Sequence, residues 1–576
     1  MSLATLRPHA ARLLGLGLAV ASLYGMQRSG ERFYAGFRIP QGFGMTHLLP
    51  EELAFTGLFV VFGCAAMLGG ALALEGLPMV GALGRRLRDL PTTVAALAAA
   101  AGLALGSAGI AALVLAHTVV TDDEHVYRFI AQTLRTGHVT APSPGTDLDF
   151  FREQFVVLTE TVRFGKYPLG HPALLAVGQA LGLENWVVPL LTAALAFPVV
   201  WLGRRLFDGP TANVALLLLL TSPQVLTTGA TFLSQPASTL CLLLALACLV
   251  EGGAEGRPGW TALAGVGLAC GVLVRPLPGV LFVVAAVGWL LWTRRSSPGR
   301  GFVPAAALVA PVALAGAALL LVNRVQTGGF LVSGYQAFHV PQAAGPLVTV
   351  GMGGGFAELA MSVASSLIRL DVWLLGWPLS LAPLLFARAV PRVALLWGMV
   401  GMAVAYRLIT PKAGVGVTGP QYMMEVVPVL CLLAAHGLVR LARHPSVGRW
   451  VLPAAAMGLV VNVSLFLPYK LADLQRCRLG QRLLPQMLAR QAPGPKVVFH
   501  RGIVPYATGL SWAYGPPCNP PDLRADVLYM RYDAALPARN LEFWKRRYPE
   551  RSAWVFTFAD NEPRLLRLED VVRGAP

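Results

Sequence analysis

Long apolar runs separated by short polar segments are the dominant pattern of this chain. A membrane-spanning helix needs about 20 apolar residues to cross roughly 30 Å of hydrocarbon, and residues 92–121 carry no charged side chain at all. Applied along the chain, this criterion predicts about thirteen membrane spans. The predicted spans lie near residues 13–27, 53–76, 92–120, 186–203, 211–227, 235–250, 260–274, 278–292, 302–322, 371–387, 393–409, 422–439 and 451–468. The pattern therefore predicts an all-α polytopic membrane protein.

The polar segments between the predicted spans fall into two classes. Short basic segments with hardly any acidic residues are typical of cytoplasmic loops, and they occur at 84–88, 203–205, 293–300, 387–392 and 439–449. Counting spans between them places on the opposite, outer face the segments 121–185, 323–354, 410–421 and everything after Pro468. The unusual polar residues of the chain, Arg275 among them, are therefore expected to collect on that outer face.

Two outer segments are predicted to contain structure of their own. Across residues 123–135 the apolar positions recur at helical spacing, with Thr121 or Asp122 available as the N-cap. Residues 169–183 predict a second, shorter helix, and we expect both helices to lie at the membrane interface beside the bundle. After Pro468 the β-like runs KVVFH, ADVLYM and AWVFTF, separated by turn signals, predict a small soluble α/β appendage.

Composition agrees with a membrane protein. Hydrophobic residues make up 55% of the chain and charged residues 13%, and the mean hydropathy is +0.60. The net charge of +17 is spread over short clusters between apolar runs, which favours cytoplasmic anchoring and anionic lipid headgroups over nucleic acid. Of the seven cysteines, only Cys477 and Cys518 lie in the polar C-terminal region, where a disulfide bond is one alternative.

The candidate chemistry begins where the uncharged run ends, in the sequence TDDEHVYRFIAQTLRTG at residues 121–137. Asp122, Asp123, Glu124 and His125 must face water or protein, because a charged side chain in hydrocarbon costs about 2.5 to 3.5 kcal/mol. Two interpretations are open for this cluster. It is either an acidic helix cap or the place of a carboxylate that acts as general base at a membrane-embedded site.

Two cations are expected on the same outer face. Lys166 lies in GKYPLGHP before a Pro-Leu-Gly turn, and Arg275 separates two apolar segments in VLVRPLPG. Each is either a side chain that reaches the lipid headgroups or a cation that binds phosphate oxygens. The motifs GxSxG, HExxH and Walker A are absent, so nothing supports a hydrolase, a zinc protease or an ATPase. A transferase on the outer face has no nucleotide sugars and needs a lipid-borne donor.

Together these motifs carry a family resemblance. A long apolar helix ending in Asp-Asp-Glu, an Ala-x-x-Leu-x-x-Gly helix, a KYPxGxP element and an outer-face Arg-Pro resemble the GT-C superfamily of integral-membrane glycosyltransferases. The pattern is most similar to protein O-mannosyltransferase-like proteins and to the bacterial aminoarabinose transferases that modify lipid A. The stretches VNRVQTGGFLVSGY and GPQYMMEVVPVLCLLAAHGL also resemble bacterial members, and the similarity covers residues 92–468.

The resemblance implies inverting transfer of a sugar from a polyprenyl phosphate to an acceptor hydroxyl. In that family an Asp of the first outer loop is the proposed catalytic base, and a downstream Lys contacts the donor phosphate. Carried over, Asp123 is the base, with Asp122 as the alternative, while Lys166 and Arg275 offset charge on the departing phosphate. The further substrate contacts expected are Glu124, His125, Tyr127, Tyr167, His171, Tyr335 and Tyr422.

These expectations divide the chain into extra N-terminal helices (1–91), a GT-C-like catalytic region (92–468) and the C-terminal appendage (469–576). No cofactor is required by a monophosphate leaving group beside two cations, and a divalent metal at the acidic cluster stays an open alternative. The expected partners are a polyprenyl-phosphate-linked sugar, membrane lipids and an acceptor lipid, glycan or protein, with no nucleic acid. The expected location is a bacterial inner membrane, with the site facing the periplasm.

Two other classes of function remain as alternatives. A transporter or flippase of lipid-linked sugars would also need many spans, but the predicted spans hold almost no ionisable residues and show no paired interrupted helices. A non-catalytic scaffold for envelope assembly is the other alternative, and such a scaffold would not need an intact acidic motif.

Overall fold

Helices form most of the protein. A computed structural model describes residues 3–36, 50–255, 257–293, 302–339, 355–388, 393–410, 417–500, 516–559 and 562–574. The helices of the bundle and its connections are α1 (Leu3–Gly36), α2 (Pro50–Leu74), α3 (Pro78–Asp89), α4 (Thr92–Gly109), α5 (Asp122–Arg135), α6 (Gly170–Ala180), α7 (Glu184–Ala194), α8 (Ala196–Leu206), α9 (Gly209–Thr221), α10 (Pro223–Gly229), α11 (Gln235–Glu255), α12 (Pro258–Val274), α13 (Pro276–Thr293), α14 (Phe302–Thr327), α15 (Gly334–His339), α16 (Phe356–Trp373), α17 (Ala394–Ile409), α18 (Val427–Ala442), α19 (Gly448–Val461) and α20 (Leu467–Gln491).

The predicted fold class is confirmed. Within the described ranges, 8 helices are long and apolar enough to cross a membrane, or 9 if the bent pair α9 and α10 forms one span. The apolar helices α12 and α17 are shorter, with 17 and 16 residues. Among the described residues, these candidates are fewer than the thirteen spans expected from the sequence. Parts of the predicted outer segments, residues 340–354 and 411–416, lie outside the described residues.

One predicted span is wrong in its position. The segment 371–387 is not a continuous helix, because α16 ends at Trp373 and the chain then turns. The Asp371 carboxylate closes this turn by accepting hydrogen bonds from the backbone N–H groups of Leu379 and Leu381, at 3.1 and 2.9 Å. Hydropathy therefore predicted a span at a place where the chain leaves α16 and turns.

A sharp bend separates α9 from α10. The two helices meet at 56°, because Pro223 disfavours helical backbone at the residue before it, and Ser222 is extended (φ −66°, ψ 117°). The carbonyl of Thr221, at the end of α9, is left without a helical partner. Asn462 donates from Nδ2 to that carbonyl at 2.7 Å. An unsatisfied backbone group is costly where no water is present, so the side chain of Asn462 stabilises the bend.

The first two helices pack on the side of the bundle formed by α19 and the start of α20. Phe59 of α2 contacts Phe466, with ring centroids 5.5 Å apart, and Phe55 meets Tyr469 edge-on at 6.2 Å. Met26 of α1 is buried in the same cluster. This contact ties the N-terminal helix pair to the helix that leads into the C-terminal region.

Two small sheets lie at one end of the bundle. Strands β1 (Ala141–Pro142), β2 (Val156–Leu158) and β3 (Val162–Gly165) form an antiparallel sheet in the order β1-β3-β2. The C-terminal sheet has the order β5-β4-β6-β7 and consists of β4 (Lys496–His500), β5 (Val527–Arg531), β6 (Ser552–Ala559) and β7 (Glu562–Arg567). Strand β4 runs parallel to β5 and β6, and β7 is antiparallel to β6. The C-terminal sheet, together with α21 (Pro537–Arg547) and α22 (Leu568–Val572), forms the α/β region that the sequence predicts.

The segment before β2 shares a hydrophobic core with the C-terminal sheet. Phe150 and Phe151 are only 2% and 1% exposed. Phe150 stacks on Phe543 of α21 at 4.1 Å, which fixes the two regions against each other. Cys477 packs into the bundle core and Cys518 against the cluster around α5, and no disulfide bond joins them. The disulfide bond that the sequence left open for these two cysteines is therefore not formed.

Candidate active site

The site is organised around the first turn of α5. Thr121 is the N-cap, and the side chain of Glu124 folds back to accept hydrogen bonds from the backbone N–H groups of Val120 (2.9 Å), Thr121 (3.0 Å) and Phe232 (2.8 Å). This capping box satisfies N–H groups that have no helical partner. Burial raises the pKa of Glu124 to about 7, against the opposing effect of these donors. Glu124 therefore joins the start of α5 to the segment after α10.

Asp123 is the carboxylate on the accessible side of this turn. It is half-buried, whereas its neighbour Asp122 is only 5% exposed. The phenol of Tyr167 donates a hydrogen bond to Oδ1 of Asp123. That contact orients the carboxylate and leaves its second oxygen available to accept a proton. Of the two aspartates, Asp123 is the better placed to meet a substrate.

Lys166 follows β3 directly, and its ammonium lies among aromatic rings. Nζ is 3.3 Å from the ring centroid of Phe155 and 5.0 to 5.6 Å from those of Tyr167, Phe338 and Tyr335. Ring faces attract a cation, and they hold it without using its N–H donors. Burial lowers the pKa of Lys166 to about 8, with the carboxylates of the aspartate pair opposing that shift.

Arg275 lies at the junction of α12 and α13 and is held from two sides. It donates to the carboxylate of Glu425 and, at 3.3 Å, to the phenol of Tyr406. Its guanidinium also lies 5.1 Å from the ring centroid of Tyr422. Because the side chains of Arg275 and Glu425 are only 11% and 2% exposed, this ion pair is shielded from solvent.

Close backbone contacts bring the two cations to one region. A Cβ on Gly170, at the start of α6, would lie 2.6 Å from the carbonyl oxygen of Leu273, two residues before Arg275. A Cβ on Gly334 would lie 2.7 Å from the carbonyl oxygen of Lys166. Both approaches require glycine, since Cβ atoms essentially never come under 3.0 Å of a neighbour.

Tyr127 lies between the acidic cluster and the arginine. Its ring is 4.8 Å from that of Tyr167, centroid to centroid, and its phenol is 3.2 Å from the hydroxyl of Ser234. Burial and the negative charge of Asp123 raise the pKa of Tyr127, while the positive charge of Arg275 lowers it. The charges of Asp123 and Arg275 therefore act on Tyr127 in opposite directions. The structure thus brings together the predicted residues Asp123, Lys166, Tyr127, Tyr167, Tyr335, Arg275 and Tyr422.

Three of the predicted substrate contacts make hydrogen bonds with protein groups. Glu124 is fully buried in its capping box. His125 faces Gln481 of α20, with Nε2 and Oε1 3.4 Å apart, and His171 bonds the carbonyl of Phe232 at 2.7 Å. Burial lowers the pKa of both histidines to about 4, so they are neutral at pH 7. Each of the three residues has at least one polar atom bonded to protein, and their contact with substrate stays a prediction.

Sequence reasoning missed several members of the site. Glu425 is the single acidic residue in the apolar segment Gln421–Ala442, and that isolation was a usable signal. Tyr406, Phe155 and Phe338 gave no comparable signal, because aromatic residues near a membrane interface are common. Within the described ranges no group of three or more His, Cys, Asp or Glu side chains converges to hold a metal ion.

The arrangement offers a base and two cations among tyrosine side chains. Asp123 can take a proton from a hydroxyl group, and the ammonium of Lys166 and the guanidinium of Arg275 can offset negative charge on a phosphate. The phenols between them suit a polar ring such as a sugar, because they combine an apolar face with a hydrogen-bonding end.

A family model described as dolichyl-phosphate-mannose-protein mannosyltransferase matches residues 166–321. The matched segment begins at Lys166 and contains Arg275. The match confirms the resemblance to the GT-C superfamily and supports a membrane glycosyltransferase. A comparison of the sequence with curated proteins found no match.

Several solved structures are similar to the chain at low identity. ArnT from Cupriavidus metallidurans in the apo state is 15% identical over 79% of this chain and 94% of that one, with a TM-score of 0.49. The same protein bound to undecaprenyl phosphate is 14% identical over 81% and 97%, with a TM-score of 0.47. The oligosaccharyltransferase AglB from Archaeoglobus fulgidus, in complex with an inhibitory peptide and a dolichol-phosphate, is 12% identical over 69% and 62%, with a TM-score of 0.38.

Proposed function

We propose that this protein transfers a sugar from a polyprenyl-phosphate donor to an acceptor hydroxyl, with Asp123 as the catalytic base. The observation that carries the proposal is the placement of one accessible carboxylate and two cations with largely buried side chains around a cluster of tyrosines. The family match over residues 166–321 supports the same class of reaction.

In the proposed reaction the acceptor oxygen attacks the anomeric carbon of the sugar. The bond from that carbon to the phosphate oxygen breaks, its electron pair stays on the phosphate, and the proton of the acceptor hydroxyl passes to Asp123. Lys166 and Arg275 stabilise the charge that develops on the lipid phosphate. Attack opposite the leaving group inverts the anomeric configuration. The hydrogen bond from Tyr167 keeps the carboxylate of Asp123 turned toward the acceptor.

The location of basic side chains supports a site on the outer face of a bacterial inner membrane. Arg443 pairs with Asp208 at 2.9 Å, and Asn213 of α9 donates to the backbone carbonyl of Leu87 at 2.9 Å. These contacts gather the basic ends of α3, α8 and α18 at one end of the bundle, which is typical of a cytoplasmic face. Both sheets follow the opposite ends of the membrane helices.

The direct test of the proposed function uses the full-length protein in nanodiscs. It receives a polyprenyl-phosphate-linked pentose or hexose and a bacterial envelope extract as the source of acceptor. We expect release of free polyprenyl phosphate together with sugar bound to a component of the extract. If the protein in liposomes moves the lipid-linked sugar across the membrane and yields neither product, the flippase alternative is correct instead.

The rate should fall at alkaline pH because of Lys166. Its pKa of about 8 means that the ammonium form, which binds the phosphate, is present below that pH and is lost as the pH rises through it. Well above pH 8 we therefore expect kcat/KM for the donor to fall about tenfold per pH unit. Initial rates measured between pH 6.5 and pH 10 test this decrease in kcat/KM.

The Lys166→Arg variant is the control for this decrease at alkaline pH. Arginine stays protonated throughout that range, so its profile should not fall near pH 8, although its absolute rate will be lower because the larger guanidinium fits the aromatic surroundings differently. A wild-type profile that is flat up to pH 10 would exclude Lys166 as the titrating group.

A further inference from the structure

A buried polar network joins the C-terminal sheet to the segment that carries Lys166. Arg163 of β3 has a side chain only 1% exposed, and it donates to Glu153 at 3.3 Å and to the carbonyl of Pro520. The second carboxylate oxygen of Glu153 accepts from the backbone N–H of Asn519 at 2.6 Å. The side-chain amide of Asn519 in turn makes two hydrogen bonds with the backbone of Tyr529 in β5, both 2.8 Å long.

The other end of this network lies against α5, the helix that carries Asp123. The guanidinium of Arg163 is 5.1 Å from the ring centroid of Phe129 in α5, the helix that begins at Asp122. Arg163 precedes Lys166 by three residues, and Glu153 precedes Phe155 by two. The backbone N–H of Lys166 donates to the carbonyl of Phe155 at 3.0 Å. A shift of the ion pair therefore moves both the Lys166 ammonium and the ring closest to it.

We propose that Glu153, Arg163 and Asn519 are positioning residues through which the C-terminal α/β region sets the place of the Lys166 ammonium. None of the three contacts the proposed reacting atoms. They act through the β2–β3 hairpin, whose strands pair Val156 with Gly165. The catalytic consequence rests on the proposed function, whereas the effect on the environment of Lys166 does not.

Burial explains why the Glu153–Arg163 ion pair can couple the position of the C-terminal region to that of the β2–β3 hairpin. Two charges out of contact with water are stable only in close, hydrogen-bonded geometry, so the ion pair tolerates little displacement. By contrast, another contact between the same regions, Arg546 with Asp147, uses an arginine that is 63% exposed. An exposed pair of this kind contributes little, and it supplies a matched control within the same interface.

The test measures the reactivity of Lys166 in the purified full-length protein. An amine-reactive acylating reagent is applied across pH 7 to 10, and peptide mass spectrometry gives the rate for Lys166 alone. We expect Glu153→Gln and Asn519→Ala to change that rate by roughly three- to tenfold and to move its pH midpoint. Arg546→Ala should stay within about twofold of the wild type.

A purely structural role predicts a different result. With a purely structural role, the variants would unfold at a lower temperature while the reactivity and pH midpoint of Lys166 stayed unchanged. That result, or no change in any of these measurements, would overturn the proposal. If Asn519→Ala does not fold, Glu153→Gln still decides the question, because it keeps the shape of the side chain and removes only its charge. In the transfer assay we expect KM for the donor to rise more than kcat falls. If the wild type transfers no sugar, the proposed function fails while the acylation result stands.

Discussion

The Asp123→Asn variant is expected to lose about 10²- to 10⁴-fold in turnover while keeping its fold. Asparagine has nearly the same shape, and its amide oxygen can still accept the hydrogen bond that Tyr167 donates to Asp123. It cannot take a proton from an acceptor hydroxyl. The rate of sugar transfer from a polyprenyl-phosphate donor, measured with purified protein in nanodiscs, checks this expectation.

Two further variants make the assignment of the base specific. Asp149 lies in the same outer loop, is 57% exposed and pairs with Arg152 at 3.0 Å, so Asp149→Asn should stay within about twofold of the wild type. Asp122→Asn tests the alternative base. If this variant loses the rate while Asp123→Asn retains it, the buried aspartate is the base and our assignment is wrong.

The membrane core could be predicted because hydrocarbon imposes a simple rule on sequence. An uncharged run such as 92–121 has one stable form in a bilayer, since only a helix satisfies every backbone group within the segment. The structure has α4 over Thr92–Gly109 and a π-helical turn directly after it. The misplaced span at 371–387 shows the limit of the rule. Hydropathy counts apolar residues there, whereas the end of the helix depends on where the Asp371 carboxylate finds its donors.

The site could be predicted only where a charged residue stands in an unusual place. Asp123 lies at the end of a long uncharged run and Lys166 stands before a Pro-Leu-Gly turn, so the sequence alone indicated them. Glu425 lies 150 residues from its partner Arg275, and no local pattern joins the two. The burial of individual side chains could not be predicted from the local sequence either. His125 has the same sequence surroundings as Asp123, but the helical turn directs it to α20, where it contacts Gln481.

Replacing Arg275 with methionine is expected to cause the largest loss of stability among these variants. The substitution leaves the carboxylate of Glu425 buried without its cation, and breaking a buried ion pair in this way costs about 3–5 kcal/mol. We expect a clearly lower midpoint of thermal unfolding in detergent. Sugar transfer should be undetectable, because the variant has lost both stability and a cation at the proposed phosphate site.

The double variant Arg275→Met with Glu425→Gln separates these two causes. Glutamine carries no charge, so the midpoint of unfolding should return most of the way to the wild-type value. Turnover should not return with it, because the guanidinium that offsets charge on the departing phosphate is still missing. A double variant with near wild-type turnover would mean that Arg275 only neutralises Glu425, and the phosphate would then depend on Lys166 alone. The same pair of measurements on Glu425→Gln alone shows whether Tyr406, 3.3 Å from Arg275, is sufficient to hold the guanidinium in place.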